Sequence, residues 1–282
     1  MGLCDLVVVT GSQANVRQAY SSGTPAIGVG AGNVPVIVDE TADLPDAARK
    51  IAASKTFDNA TSCSSENALV VLDACYDAAL QALADAGGYL ATAGERERIV
   101  RTLWQGSKLN RAVIARDAAV QAGAFGLGPG SEGTRFFLVE EEGIGPEHPL
   151  SGEKLSLVLS VYRSRDFEHA VEITRRILEF QGKGHSCGIH TRDPGRARRL
   201  AAELPVVRVL VNQAHTFGNG GGFDNGLNFT LSMGCGTWGG NSITENLNYR
   251  HFLNITHLVT TIPEDRPGEE ELFGPFWAKY GR

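Results

Sequence analysis

"CDLVVVTGSQANVRQAYSSGTPAIGVGAGNVPVIVDE", Cys4 to Glu40, decides the fold. Its apolar run reads as a buried strand closing at Thr10. Gly11 and Ser12 supply a tight turn, and the residues beyond them read as a helix ending near Gly23. "PAIGVGAGNVPVIVDE" then gives two short strands broken by a glycine loop. A strand that returns through a helix to another strand is the unit from which α/β proteins with mostly parallel sheets are built.

Outward from this stretch the same rhythm continues. "DAARKIAASKTF" predicts a helix with apolar positions at Ala47, Ile51, Ala52 and Phe57, and "NALVVLD" a short buried strand. A helix follows from Tyr76 to Ala86, with Ala79, Leu80 and Leu83 on one face. "GAFGLGPGSEG" separates it from a strand in "TRFFLVEEE". Next come a strand in "KLSLVLSVYRS", a helix in "DFEHAVEITRRIL" capped by Asp166, and a strand and turn in "SCGIHTRD". A helix opening at Pro194 and a strand in "VVRVLVN" complete the alternation. The last third, "FGNGGGFDNGLNFTLSMGCGTWGGNS", is glycine-rich with Phe217, Phe223 and Trp238 inside it, a composition suited to a loop wrapped around a ligand.

Composition narrows the function classes. The chain has 282 residues, 42% hydrophobic and 21% charged, with a formal net charge of −6. Nucleic-acid binding needs clustered Lys and Arg, and the clusters in "TRRIL" and "GRARRL" lie on helical patterns as solvated faces. Five cysteines, Cys4, Cys63, Cys75, Cys187 and Cys235, lie far apart with no CxxC or CxxH spacing. That disfavours a disulfide framework and a metal site and fits reduced, cytoplasmic thiols; Cys4, Cys75, Cys187 and Cys235 read as small buried fillers. No stretch reaches the apolar length of a membrane helix. A strand beginning this close to Met1 suggests that something is missing upstream.

"TFDNATSCSSEN", Thr56 to Asn67, places Cys63 in a small polar loop between a helix and a strand. A thiol at such a junction meets backbone N–H groups, which lower its pKa and stabilise charge on a neighbouring oxygen. From this stretch alone, a loop cysteine without a role reads equally well.

Five motifs in order, "AYSSGTPAIGVGAGNVPVIVDETADL", "SKTFDNATSCSSEN", "EKLSLVLSVYRSRDFEHAVE", "GKGHSCGIHT" and "MGCGTWGGNSITENL", resemble the CoA-acylating members of the aldehyde dehydrogenase superfamily. Within it, the glycine-rich tail is similar to that of members acting on sulfoacetaldehyde. The resemblance implies an aldehyde dehydrogenase-like catalytic domain, three-layered with a mostly parallel sheet. It divides the chain into residues 1–33, a remnant of a Rossmann-like dinucleotide-binding domain, 34–235, the catalytic domain, and 236–282, a C-terminal return and oligomerisation strand.

By the same resemblance, Cys63 is the nucleophile that attacks the aldehyde carbonyl. The resulting thiohemiacetal loses hydride to NAD or NADP and becomes an enzyme thioester. Glu153 matches the carboxylate that holds the nicotinamide ribose. Thr10, Gly11 and Ser12 match the strand–turn–helix that receives the pyrophosphate at a helix N-terminus. Gly28, Gly30 and Gly32 read as backbone clearance beside the nicotinamide and Cys63. Val29 stands where acid-releasing relatives carry a glutamate base. Valine cannot take a proton, so coenzyme A is the expected acyl acceptor. His185 matches a histidine shared by acylating members and is expected to assist near the thioester; a histidine capping a strand entrance is the competing reading. His215 and Asn219–Gly222 are candidate lining of the aldehyde pocket, where glycine N–H groups would suit a sulfonate.

Two features depart from the family pattern. The first half of the dinucleotide-binding domain and an oxyanion-hole asparagine have no counterpart, so the expectation is a piece of a longer protein, weakly active or inactive as an isolated polypeptide. The alternating, β-branched run His257–Ile262 resembles a terminal strand that pairs with a neighbouring subunit, implying a homodimer or dimer of dimers. A non-catalytic remnant acting as an oligomerising partner is the alternative, but it gives no reason to keep Cys63, Glu153 and His185 together. A thiol hydrolase would leave Gly11 and Glu153 without roles.

Overall fold

The computed structural model describes residues 1–282. The chain divides into two units, Met1–His251 and Phe252–Arg282. Unit one opens with β1 (Val7–Thr10), α1 (Gln13–Tyr20) and β2 (Ala26–Val29), and continues through β3 (Val34–Val38), α2 (Leu44–Thr56), β4 (Glu66–Leu72), α3 (Tyr76–Asp85) and β5 (Gly88–Leu90). Then follow α4 (Ala93–Leu103), a small hairpin of β6 (Trp104–Gln105) and β7 (Lys108–Leu109), α5 (Ala118–Phe125), β8 (Phe136–Glu140), β9 (Val158–Ser164), α6 (Phe167–Phe180), β10 (Cys187–His190), α7 (Pro194–Glu203), β11 (Val209–Val211) and the short α8 (His215–Asn219).

Seven strands form one sheet in the order β11-β10-β3-β4-β9-β8-β5. Every neighbouring pair in it is parallel, as the strand–helix alternation predicts. β4 lies at its centre, and all seven of its residues are buried, the mark of a parallel strand covered on both faces. Its apolar side chains join those of β3, β8, β9 and α6 in the main core. β1 and β2 pair in parallel as a separate two-stranded sheet, with Thr10 opposite Val29.

The helix starts follow their sequence signals. Ser12, Asp43 and Asp166 each cap the helix that follows, accepting from the backbone N–H of Asn15, Asp46 and His169. The sequence reading passes over α4, although Thr92 and Glu95 form a reciprocal capping box at its start. It also passes over α5, whose last residues lie in the predicted glycine-rich connection. Phe57, expected on the buried face of α2, lies beyond the end of that helix and is half exposed. Cys75, Cys187 and Cys235 are buried, whereas Cys4 is exposed because it precedes the first strand and packs into no layer.

Unit two contains α9 (Glu269–Tyr280). Its aromatic residues pair along the helix, Phe273 with Trp277 and Phe276 with Tyr280, at ring separations of 5.6 and 4.8 Å. His257–Ile262 lies in no strand, and its own unit contains none for it to pair with. No helix is long and apolar enough to cross a membrane.

Candidate active site

Cys63 lies on the connection between α2 and β4. This connection passes through three successive left-handed residues, Asp58 (φ 47°), Asn59 (φ 51°) and Ala60 (φ 59°). None is glycine, so each costs on the order of 1 kcal/mol. Local bonds hold them in place. Asn59 Nδ2 donates to Asp117 Oδ1 at 2.9 Å, and Thr61 Oγ1 donates to the Asp58 carbonyl at 2.9 Å. Ala60 is buried beneath.

The far side of the loop rests on a buried polar network. Asn219 Nδ2 donates to Ser64 Oγ at 2.8 Å, and Arg208 Nε donates to Asn219 Oδ1 at 2.7 Å. Arg208 also donates to the carbonyls of Gly234 and Thr244 and to Asn246 Oδ1. All its partners are neutral. At the start of β4, Glu66 accepts from Ser54 Oγ at 2.6 Å and from the His215 backbone N–H at 3.1 Å. Lys55 Nζ donates to the Glu66 carbonyl at 2.7 Å. Burial pushes the Glu66 carboxyl up and the Lys55 ammonium down from their ordinary values.

His185, fully buried at the entrance to β10, presents Nε2 3.4 Å from Cys63 Sγ. Burial, and then the Glu153 charge, push the Cys63 thiol up to about 12. Burial, helped by the Arg208 cation, holds His185 down to about 3. The resting pair is therefore a thiol facing a neutral imidazole, a base within reach but not yet charged.

Cys63, partly exposed, opens into a cavity of about 1050 Å³. Thr10, Gly11, Ser12 and Gln13 border it at the start of α1, as do Gly30 and Glu153. Phe57, Phe217, Phe229, Leu231 and Met233 supply its apolar wall, while Thr61, Ser62, Thr216 and Thr230 add hydroxyls. Glu153 also borders a second cavity of about 670 Å³ with Arg101, Trp104 and Phe180. Burial raises the Glu153 carboxyl to about 7 against the opposing pull of the Gly32 N–H and of Lys154 and Lys55.

Of the expected residues, Thr10, Gly11, Ser12, Gly30, Cys63 and Glu153 thus share one cavity, with His185 immediately behind Cys63. Gly28 and Gly32 do not line it. Gly28 packs against Val16 and Tyr20 of α1, where a side chain would collide, and its N–H donates to Tyr20 Oη at 2.9 Å. Gly32 packs on the Cys63 carbonyl with no room for a Cβ. Val29 is buried within β2 and contributes nothing to the wall.

Gly220 and Gly221 border the cavity, but His215 and Asn219 do not. Both are buried, at 1% and 0% exposure, because their side chains are taken up by Ser186 and by Ser64 and Arg208. Phe223 and Trp238, expected around a ligand, are exposed and lie outside the cavity; only Phe217 of the three lines it. The sequence reading missed Phe57, Phe229 and Met233 as wall, and Ser186 and Arg208 as support. A polar residue next to an expected catalytic histidine was the available signal for Ser186.

Cys63 with the neutral His185 behind it, and the β1–turn–α1 start on the same cavity, are the geometry beside which the comparisons stand. Residues 3–131 match the model of the aldehyde dehydrogenase family. Over that span the chain carries the family's pattern. It is 53% identical to the sulfoacetaldehyde dehydrogenase (acylating) of Cupriavidus necator, over 100% of this chain and 57% of that protein. It is 43% identical to the sulfoacetaldehyde dehydrogenase (acylating) of Bilophila wadsworthia, over 100% of this chain and 62% of that one. Among solved structures, an acetylating aldehyde dehydrogenase from Geobacillus thermoglucosidasius matches with a TM-score of 0.87 at 33% identity, covering 93% of this chain and 58% of that one. The chain therefore spans less than two thirds of the length of these relatives.

Proposed function

We propose that this chain carries the acyl-transfer site of a CoA-acylating aldehyde dehydrogenase, which oxidises a small aldehyde to its acyl-CoA through a thioester on Cys63. The 3.4 Å approach of His185 Nε2 to Cys63 Sγ, at the edge of a cavity shared with Glu153 and the start of α1, carries this reading. His185 takes the thiol proton as sulfur attacks the carbonyl, and can return one to the group that leaves. The wall gives sulfur an apolar setting, and Val29 offers no carboxylate to activate water there.

The same cavity fits a nicotinamide cofactor, NAD or NADP. Thr10, Gly11 and Ser12 would hold its pyrophosphate, and Glu153 its ribose. Bound there, it would supply the hydride acceptor for the oxidative half of the reaction. Sulfoacetaldehyde is the favoured substrate, because the two relatives above carry that name. The cavity wall has no cationic side chain, and Asp58 and Glu153 are both acidic, so a sulfonate would have to be held by wall hydroxyls such as that of Ser62, because the Gly221 N–H is already bonded to the Gly218 carbonyl and the Gly222 N–H to Asn225 Oδ1.

The acyl-transfer half can be tested without the redox half. Incubated with acetyl-CoA, the chain should acquire an acetyl group on Cys63 as the coenzyme A thiol departs, seen by peptide mass mapping. Cys63→Ala should remove the adduct. Acetylation spread over Cys4 and other sites, with Cys63 unmodified, would overturn the assignment.

A further inference from the structure

His185 does not end the polar line that starts at Cys63. Its Nδ1 lies 2.7 Å from Ser186 Oγ, and Ser186 Oγ lies 2.9 Å from His215 Nε2. Ser186, His185 and His215 are buried at 0%, 0% and 1% exposure, so no water competes for these bonds. His215 is itself fixed, its backbone N–H donating to Glu66 Oε1 at 3.1 Å. A serine hydroxyl carries one proton. Between two imidazoles it donates to one ring nitrogen and accepts from the other, which ties the tautomers of the two histidines together.

We infer that Ser186 and His215 are positioning residues that hold His185 as its Nδ1–H tautomer, with the Nε2 lone pair aimed at the Cys63 thiol. In this arrangement His185 Nδ1–H donates to Ser186 Oγ, and Ser186 O–H donates to His215 Nε2. Cys63 S–H then has an acceptor, and each member but the last finds a partner along the line. The opposite arrangement turns an N–H towards a protonated sulfur, which is a poor acceptor, and leaves the thiol without a base. The groups that act electrostatically on this line are Glu153 and Cys235 near Cys63, Arg208 near all three titratable members, and His190 and Glu66 near His215.

The role assigned to Ser186 and His215 rests on His185 serving Cys63 as proposed above, but the tautomer can be read without any turnover. In the full chain, 15N NMR of labelled histidine should show His185 neutral and protonated at Nδ1. Ser186→Ala should abolish that preference, and Ser186→Thr, which keeps the hydroxyl, should restore it. His215→Leu, which removes the acceptor of the hydroxyl proton, should weaken it.

Iodoacetamide alkylation of Cys63, followed by peptide mass mapping as a function of pH, reads the consequence. Ser186→Ala should slow it about tenfold at a fixed pH below the thiol midpoint, to the level of His185→Ala, while Ser186→Thr stays near wild type. A wild-type His185 protonated at Nε2 would overturn the inference, as would a Ser186→Ala protein with unchanged tautomer and alkylation profile. If the tautomer is as stated but acetyl-CoA never modifies Cys63, the acyl-transfer reading fails and the positioning of His185 stands.

Discussion

Gly32 and Cys63 meet backbone to backbone, so closely that a Cβ on the glycine would overlap the Cys63 carbonyl oxygen and press on His185 Nε2. The glycine's value is this approach, since its φ lies outside the left-handed region. Gly32→Ala should therefore displace the loop that carries the sulfur. The expected cost is about 1–3 kcal/mol in urea unfolding, with slower alkylation of Cys63. Gly123→Ala, inside α5 with open space around it, should instead be neutral or stabilising by about 0.5–1 kcal/mol. Equal behaviour of the two variants would contradict the close-packing argument.

After burial itself, the Glu153 carboxylate is the largest influence raising the Cys63 thiol. Glu153→Gln removes that charge, so the pH midpoint of Cys63 alkylation should fall, by about one unit. At a fixed pH below the midpoint the variant reacts faster. A midpoint that stays put or rises would show that the carboxylate does not act on the sulfur.

Glu95 holds the start of α4 together. It accepts from the Thr92 N–H at 2.9 Å, from Tyr89 Oη at 3.0 Å and from the Gly128 N–H at 3.1 Å. Burial raises its carboxyl, but these donors outweigh burial and bring it down to about 2. Glu95→Ala should cost about 1–3 kcal/mol near neutral pH. Because the folded value lies below the unfolded one, the stabilisation is complete above about pH 4.5 and fades towards about pH 2. Urea unfolding of both proteins across that window should show the gap closing, and a constant gap would refute the linkage.

His190 titrates the other way. Burial, and then Lys50, hold it down to about 4. Below its unfolded value of about 6.5 the unfolded chain binds a proton that the folded chain does not. Wild type should therefore lose stability relative to His190→Asn by roughly 1.4 kcal/mol per pH unit between about pH 6.5 and 4. A pH-independent difference would mean that the ring is already charged in the fold.

The elements visible in the sequence are those set by local pattern. β4 shows as an unbroken apolar run, α6 shows by its Asp166 cap, and β1–α1–β2 by the Gly11–Ser12 turn. α4 was passed over because its interior, Glu95 to Arg101, is mostly charged, and only Ile99 and Leu103 reach full burial on its apolar side. Phe57 was misplaced because the chain leaves α2 through left-handed residues that are not glycine, a turn with no sequence signature. That Cys63, Glu153 and His185 lie close together is what the motifs imply. The contact of Ser186 with His215 was not legible, because the two are 29 positions apart and meet only when β10 is laid beside β11.

The run Asp58–Asn59–Ala60 also bears on how the protein would respond to selection for heat resistance. Glycine adopts that geometry without penalty, so replacements such as Asn59→Gly would be favoured by a screen that rewards durability alone. They would also free the peptide that seats the Cys63 sulfur, proposed above as the nucleophile, and Asn59→Gly would sever its tie to Asp117. Hardiness and reactivity are thus set against each other within one short turn, and a screen for the first should retain an assay for the second.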